Sequence, residues 1–162
     1  MELNLQWLTD TMVGEFTLTM LVSMIPVVEL RGGIPFGVGV GLPVWAAFIA
    51  AVIGNLIPVP FIIVYIRRIF QWMRKRIPKL NRLVDALERK AHLKGQRVTK
   101  YKYLGLMLFV AIPLPGTGAW TGSLAAAFLD MPLHKALPSV ILGVIIAGMA
   151  ISILSYGIVS LF

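Results

Sequence analysis

The stretch IPVVELRGGIPFGVGVGLP, residues 25–43, decides the fold, because it places two charges and five glycines between apolar segments. Residues 16–28 are apolar, but a helix needs about 20 residues to cross the hydrocarbon core of a membrane. Glycines and charges lower helix propensity over 29–41, so we expect a break there. The sequence therefore predicts a re-entrant hairpin over 16–42 and a transmembrane helix over 43–66, kinked near Pro58.

The composition is typical of an integral membrane protein. The chain has 162 residues, of which 58% are hydrophobic and 14% are charged, and its mean hydropathy is +0.85. A soluble domain carries about 25% charged residues. The chain has no cysteine, which excludes disulfides, thiolate nucleophiles and thiolate metal sites.

The net charge of +8 is concentrated in one connector, residues 67–102, which holds 13 of the 15 Lys and Arg residues. Because apolar sequence flanks this connector on both sides, nucleic acid is not an expected partner. Positive charge beside membrane spans marks the cytoplasmic side, which predicts a cell-membrane protein with a cytoplasmic connector. The connector also carries an apolar stripe with helical spacing, formed by Met73, Ile77, Leu80, Val84, Leu87 and Ala91. This amphipathic helix can lie on the bilayer surface or pair with a second copy as a coiled coil.

The second half repeats the order of the first. IPLPGTGAWTGSLAAAFLDMP, residues 112–132, again joins a short apolar arm to a long apolar segment. Ile25-Pro26 aligns with Ile112-Pro113 at an offset of 87. Two further pairs align at an offset of 89, namely Leu42-Pro43 with Met131-Pro132 and Ile53-Gly54 with Leu142-Gly143.

The predicted fold is an all-α integral membrane protein with an inverted repeat of a re-entrant hairpin plus a transmembrane helix. The repeats are joined by the basic amphipathic cytoplasmic helix. The first repeat covers 11–66, and the second, 103–162, contains a hairpin over 103–131 and a transmembrane helix over 135–162. Interrupted segments in inverted repeats are expected to meet at mid-depth, where transporters bind substrate.

A competing topology makes 11–30 a spanning helix and each break an ordinary loop. It must place Glu29 and Arg31 near a membrane edge, and it leaves 34–66 too long for a single span.

The charged pair of the first break is the leading candidate site. Glu29 and Arg31 are the only charged residues between Glu15 and Arg67, and charges at membrane depth are costly unless they are paired or functional. Arg31 is suited to an anionic group such as phosphate, and a desolvated Glu29 can exchange a proton. The alternative is a mutual ion pair that holds the hairpin tip in place.

The second break offers neutral groups: hydroxyls, glycine amides and one indole. These groups can bind an anion without a second buried charge, although small residues also serve close helix packing. Asn55 either bonds a neighbouring helix or lines the site. The complete set of candidate site residues is Glu29, Arg31, Gly32, Gly33, Asn55, Gly116, Thr117, Gly118, Trp120, Thr121 and Ser123.

Other function classes find no support in the sequence. The two histidines, His92 and His134, are far apart, so no metal site is predicted. There is no phosphate-binding GxxxxGK[ST] motif and no nucleophile–base pair, so we predict neither an enzyme nor a cofactor.

The sequences of residues 25–43 and 112–132 together resemble those of the small multidrug export proteins, a family that is similar to the DedA/VTT membrane proteins. The resemblance covers the chain from about Met20 to its end. It implies two facing re-entrant hairpins and movement of polyprenyl phosphates or phospholipids, with acidic and arginine hairpin residues coupling transport to protons. Carried over to this chain, those residues are Glu29 and Arg31.

These observations predict a small secondary transporter or lipid translocase for an anionic amphiphile, embedded among membrane lipids. One alternative is a multidrug exporter of cationic amphiphiles with Glu29 as the cation site, and another is a membrane scaffold that does not transport. Two spans give little protein to shield two hairpins, which predicts a homodimer.

Overall fold

The computed structural model describes residues 11–76, 85–86, 89, 102–114 and 116–159. Within these ranges the secondary structure is entirely helical, which confirms the all-α prediction for the described residues. The main helices are α1 (Met12–Met24), α2 (Glu29–Gly39), α3 (Val44–Leu56), α4 (Pro58–Arg76), α5 (Lys102–Ala111), α6 (Ala119–Phe128) and α7 (Leu133–Val159).

Two helical stretches are long and apolar enough to cross a membrane, Val44–Ile66 and Leu133–Ser155, each with 23 residues. Helix α1 is apolar but has only 13 residues. At 1.5 Å per residue it rises roughly 20 Å, which is less than the ~30 Å hydrocarbon core. The helix ends at Met24 and does not run continuously over the 11–30 of the competing topology.

The glycine-rich stretch 29–41 is not the break that the sequence predicts. The break is the short turn of residues 25–28, and Glu29–Gly39 forms α2, including Pro35. Low helix propensity is overridden here by packing. A side chain at Gly33 would overlap Ser23 on α1, and one at Gly37 would press on Thr19.

The chain divides into two compact units, Met1–Ile57 with Val144–Phe162, and Pro58–Gly143. In the first unit, α1, α2 and α3 pack against each other as an up–down–up group. Gly54 of α3 lies directly against the backbone carbonyl of Met20, an approach that any β-carbon would prevent. The last part of α7 joins this unit, where Gly148 contacts Phe48 of α3.

The second unit contains α4, α5, α6 and the start of α7. Gly122 of α6 packs on Val110 and Leu106 of α5. Gly143 of α7 lies against the backbone carbonyl of Met107. Lys135 places its ammonium group 5.5 Å from the centre of the Tyr103 ring, a distance that allows a cation–π contact.

The two hairpins share their unusual backbone conformations. Six described residues have a positive φ, and three of them are not glycine. They form three pairs with a constant separation of 89 positions: Val27 (78°) with Gly116 (81°), Glu29 (50°) with Gly118 (126°), and Gly41 (116°) with Asp130 (53°). The offset that aligns the sequences therefore also aligns the backbone turns.

The same offset relates the loops that lead into the two long helices. The N–H of Leu42 bonds the Gly37 carbonyl at 2.9 Å, and the N–H of Met131 bonds the Ala126 carbonyl at 3.0 Å. Each loop ends in a proline whose carbonyl accepts the first bonds of the following helix, as at Pro43. The helices begin at Val44 and at Leu133.

The long helices differ from their predicted bounds. The segment predicted over 43–66 is interrupted at Ile57, where α3 ends and α4 begins at Pro58. Helix α4 continues to Arg76, and so enters the predicted connector 67–102. The stripe predicted over the rest of that connector lies almost wholly outside the described residues. Helix α7 begins at Leu133, two residues earlier than predicted.

Candidate functional site

Glu29 is the first residue of α2 and is almost completely buried, with 4% of its surface exposed. Its φ is +50°, a left-handed conformation that is costly for most residues other than glycine, by roughly 1 kcal/mol. Backbone strain of this kind persists where the surroundings enforce it, and it concentrates at functional sites. The carboxylate is therefore held at the hairpin tip in spite of its backbone.

Arg31 lies two residues after Glu29, on the same first turn of α2, and is half-buried. An electrostatic interaction links its guanidinium to Glu29. The structure therefore brings the two predicted charged residues together. A half-buried guanidinium keeps part of its donor fork accessible, and that fork matches the geometry of a phosphate or carboxylate.

The two glycines of the first motif act through packing. A β-carbon at Gly32 would contact the Val28 side chain, and one at Gly33 would overlap the Ser23 hydroxyl. Gly33 is buried in the α1–α2 contact, so we assign it to helix packing rather than to ligand contact. The absence of a side chain at Gly33 lets α2 lie close to α1 near Glu29.

Asn55 lies on the last turn of α3, in the same unit as Glu29 and Arg31. Because α3 runs antiparallel to α2, the end of α3 and the start of α2 lie at the same end of this helix group. Asn55 is completely buried, and within the described part of the chain neither polar atom of its amide has a hydrogen-bond partner.

The turn between α5 and α6 is built around the Thr117 side chain. Its hydroxyl lies 2.7 Å from the carbonyl of Ile112 and 2.8 Å from that of Leu114, and it accepts the N–H of Leu114 at 3.3 Å. Gly116 and Gly118 supply the positive φ values that the turn requires. Thr117 is thus a structural residue of this turn.

The other two hydroxyls of the second hairpin also bond to their own helix. Ser123, which is completely buried, donates to the Ala119 carbonyl at 2.6 Å, and Thr121 points to the Gly118 carbonyl at 3.4 Å. A hydroxyl that donates to the backbone offers a ligand only acceptor lone pairs. In this structure both hydroxyls bond to their own helix, and their role as anion donors stays a prediction. Trp120 is half-buried on the first turn of α6.

A family model matches residues 29–150 of the chain, which is most of its length and includes all eleven candidate residues. The family is described as small multi-drug export proteins, a function that its name gives as provisional. The chain belongs to this family. No curated protein and no solved structure matches the chain.

The match begins at Glu29, the first residue of α2, and ends at residue 150, within α7. Family membership and the two apolar spans together identify the chain as a membrane protein. The sequence-based assignment to the small multidrug export family is confirmed.

Two features of this family member are missed by reasoning from the sequence. Val27 adopts a φ of +78° although it is β-branched and 92% exposed, and only its alignment with Gly116 could have indicated this conformation. Thr19 and Ser23 are completely buried on α1, where their hydroxyls bond to the helix backbone. The sequence could have indicated these two residues, because they are polar side chains within an apolar segment.

Proposed function

We propose that this small multidrug export family member is a secondary transporter or lipid translocase for an anionic amphiphile, such as a polyprenyl phosphate or a phospholipid. The observation that carries the proposal is Glu29, a buried carboxylate at positive φ with Arg31 as its neighbour. The equivalent position in the other hairpin is Gly118, which fits that backbone without strain. The carboxylate therefore stands where the fold itself favours glycine.

The two charged side chains have complementary roles in this proposal. Arg31 binds the phosphate of the substrate through its guanidinium fork. When phosphate displaces Glu29 from Arg31, the buried carboxylate loses its counter-charge and takes up a proton, because burial disfavours the charged form. Release of the substrate restores the pair and frees the proton, which couples transport to the proton gradient without covalent chemistry.

The proposal includes an internal repeat of hairpin and long helix. It is supported by the three pairs of positive φ values and by equivalent glycine contacts, Gly54 on Met20 and Gly143 on Met107. Two independent contacts at the same offsets as the sequence matches are difficult to obtain by chance. We propose that each hairpin is re-entrant, because α1 is too short to cross the membrane as a helix.

Charge supports opposite orientations of the two repeats in the membrane. The first turn of α1 carries Glu15, whereas the first turn of α5 carries Lys102 at the equivalent position. The long helix of the second repeat begins with His134 and Lys135, where the first has Trp45 and Ala46. Basic residues favour the cytoplasmic side, so we propose a cell-membrane protein with connector 67–102 in the cytoplasm.

A flipping assay in liposomes tests the proposal. The purified chain is reconstituted with a fluorescent polyprenyl phosphate or phospholipid, and the rate is compared among wild type, Glu29→Gln and Arg31→Ala. We expect Arg31→Ala to slow transport by about tenfold or more, since a charged hydrogen bond contributes about 1.5–3 kcal/mol. Glu29→Gln should make the rate independent of a pH gradient. Wild-type rates in both variants would exclude this site.

The family description supports a second candidate, an exporter of cationic amphiphiles. In that case Glu29 holds the cation, and Arg31 opposes it by charge repulsion. Drug resistance on expression would then depend on Glu29, and Arg31→Ala would strengthen export. The opposite responses of Arg31→Ala in the two assays distinguish the candidates.

We also propose a homodimer surrounded by membrane lipids. Many large apolar side chains are exposed on the described helices, among them Trp45, Phe61 and Ile153. Lipid or a second copy can cover such surfaces. Cross-linking in native membranes should yield dimers, and monomers alone would contradict the proposal. A non-transporting scaffold would instead lose function when connector 67–102 is shortened and keep it after Glu29→Gln.

A further inference from the structure

Asn55 is a buried polar side chain that the transport roles of Glu29 and Arg31 do not use. It is completely buried, and within the described residues neither its Oδ1 nor its Nδ2 has a hydrogen-bond partner. Burial of an unpaired amide is unfavourable, so such groups call for a specific explanation. One explanation is a ligand that is coordinated by the Oδ1 oxygen of Asn55.

The sequence just after Asn55 removes hydrogen bonds from the surrounding backbone. Helix α3 ends at Leu56, and α4 begins at Pro58. Proline has no N–H, so neither Pro58 nor Pro60 can donate the i→i−4 bond, which would reach the carbonyls of Gly54 and Leu56. The Ile57 N–H still bonds the Ile53 carbonyl at 3.1 Å. Two backbone oxygens on either side of Asn55 therefore lose their usual donors.

These oxygens lie at the C-terminal end of α3, where the helix dipole concentrates negative charge. Gly54 also lies directly against the Met20 carbonyl of α1, which adds another backbone oxygen at the same level. Ile57 keeps helical dihedral angles, with φ −54° and ψ −49°, so the two prolines free carbonyls without unwinding the helix. Carbonyls at an interruption of a membrane helix coordinate cations in secondary transporters. All of these oxygens belong to one compact unit.

The second long helix has none of these features. At the offset of 89, Asn55 corresponds to Val144, Pro58 to Ala147 and Pro60 to Met149. Helix α7 continues through those positions from Leu133 to Val159. The fold therefore needs neither the buried amide nor the two prolines, since an equivalent helix packs with apolar residues instead. The three polar and helix-breaking features occur together in only one of the two helices.

We propose that Asn55 Oδ1 and the backbone oxygens of Met20, Gly54 and Leu56 bind a monovalent cation, Na⁺. All of these ligands are neutral, and carboxylates are what Ca²⁺ and Mg²⁺ sites require. Neutral amide and carbonyl oxygens, together with a helix C-terminus, suit a singly charged ion. The role of Na⁺ as a coupling ion rests on the proposed transport function, whereas its binding does not.

The test is sodium binding by the purified full-length chain in nanodiscs of phosphatidylethanolamine and phosphatidylglycerol. Binding of ²²Na⁺ is measured together with the melting temperature in NaCl and in choline chloride of equal ionic strength. Wild type should bind Na⁺ and melt at a higher temperature in NaCl. Asn55→Val, which introduces the residue of the other helix, should weaken Na⁺ binding at least about tenfold. It should also remove the difference between the two salts.

Two further variants separate ion binding from general stability. Pro58→Ala restores an N–H for the Gly54 carbonyl, and should weaken Na⁺ binding even though Asn55 is present. Ser139→Ala is the matched control, because Ser139 is also buried but its hydroxyl already bonds the Lys135 carbonyl at 3.1 Å. It should bind Na⁺ as wild type does. Equal melting temperatures of wild type in both salts, or unchanged Na⁺ binding by Asn55→Val, would overturn the inference.

Flipping rates with and without a Na⁺ gradient separate this inference from the transport proposal. Transport that proceeds without any Na⁺ binding refutes the cation site alone. Sodium binding by a chain that moves no amphiphile refutes the transport function and leaves the site intact.

Discussion

The two hairpins place their positive-φ residues at matching positions but differ in the length and the charge of their turns. The hairpin of α1 and α2 turns through residues 25–28 and carries Glu29 and Arg31 just after this turn. The hairpin of α5 and α6 turns through 112–118, and neither this turn nor α6 carries a charge. Where the second has Gly116 and Gly118, the first has Val27 and Glu29, and all four residues have a positive φ, between 50° and 126°. The second hairpin therefore represents the relaxed form of this turn.

The comparison separates what the fold needs from what function needs. Features that both hairpins share, such as close helix contacts at Gly33 and Gly122, serve the fold. Features that only one hairpin has, and that raise its energy, are candidates for function. By this criterion Glu29 is a candidate for function, whereas Ser123 donates its hydroxyl to its own helix.

The largest expected effect is a loss of stability at the contact between Gly54 and Met20, a type of glycine contact that both repeats share. Gly54→Val places a branched side chain on the Met20 backbone, which cannot move aside without displacing α1. We expect a loss of at least about 3 kcal/mol of stability, at the upper end of the cost of overpacking. Size-exclusion chromatography of the purified variant should show aggregation. Ile53→Val, at an exposed neighbouring position, is the control. A folded Gly54→Val variant would show that the two backbones are not in close contact.

The next effect concerns the longer turn of the second hairpin. Thr117→Val removes two side-chain hydrogen bonds of this turn: one that the hydroxyl donates, shared between the carbonyls of Ile112 and Leu114, and one that it accepts from the Leu114 N–H. At about 0.5–1.5 kcal/mol for each bond, the variant should lose roughly 1–3 kcal/mol. Thermal unfolding followed by circular dichroism measures this loss, and Thr117→Ser should retain most of the stability. Equal melting of Thr117→Val and wild type would mean that the glycines alone hold the turn.

A smaller effect of the opposite sign is expected in the first hairpin. Val27→Gly copies the residue at position 116 and removes the steric cost of a positive φ, which exceeds the entropy cost of glycine. We expect a gain of about 0.5–1 kcal/mol in thermal unfolding. Val28→Gly is the matched control, because Val28 has a φ of −67° and should lose stability. Destabilisation by Val27→Gly would indicate that the side chain makes a needed contact.

The smallest effect is predicted for the hydroxyls of the second hairpin. Because Thr121 and Ser123 bond to their own helix, the double variant Thr121→Val with Ser123→Ala should transport within about twofold of wild type, as expected when no charged contact is lost. The transport rates of wild type and Glu29→Gln in the same liposome assay provide the reference values. A tenfold lower transport rate of the double variant would indicate that these hydroxyls contact the substrate.

The sequence predicts the membrane class, because hydropathy acts locally, but it places the first break at 29–41 instead of at 25–28. It does not predict α2 as a helix, because the contacts of Gly33 and Gly37 with α1 are tertiary and override local propensity. The bonding of Ser123 to the backbone could have been expected, since serine within helices often bonds the residue four positions earlier. The strained conformation of Glu29 and the unpaired amide of Asn55 depend on tertiary contacts, so no local sequence pattern predicts them.

The three non-glycine residues at positive φ also have a consequence at the level of the gene. Codons for valine, glutamate and aspartate all begin with G and differ from a glycine codon by a single base at the second position. Val27, Glu29 and Asp130 are therefore each one point mutation away from the residue that their backbone prefers. A saturation library selected first for expression and then for transport should enrich Glu29→Gly in the first step and eliminate it in the second.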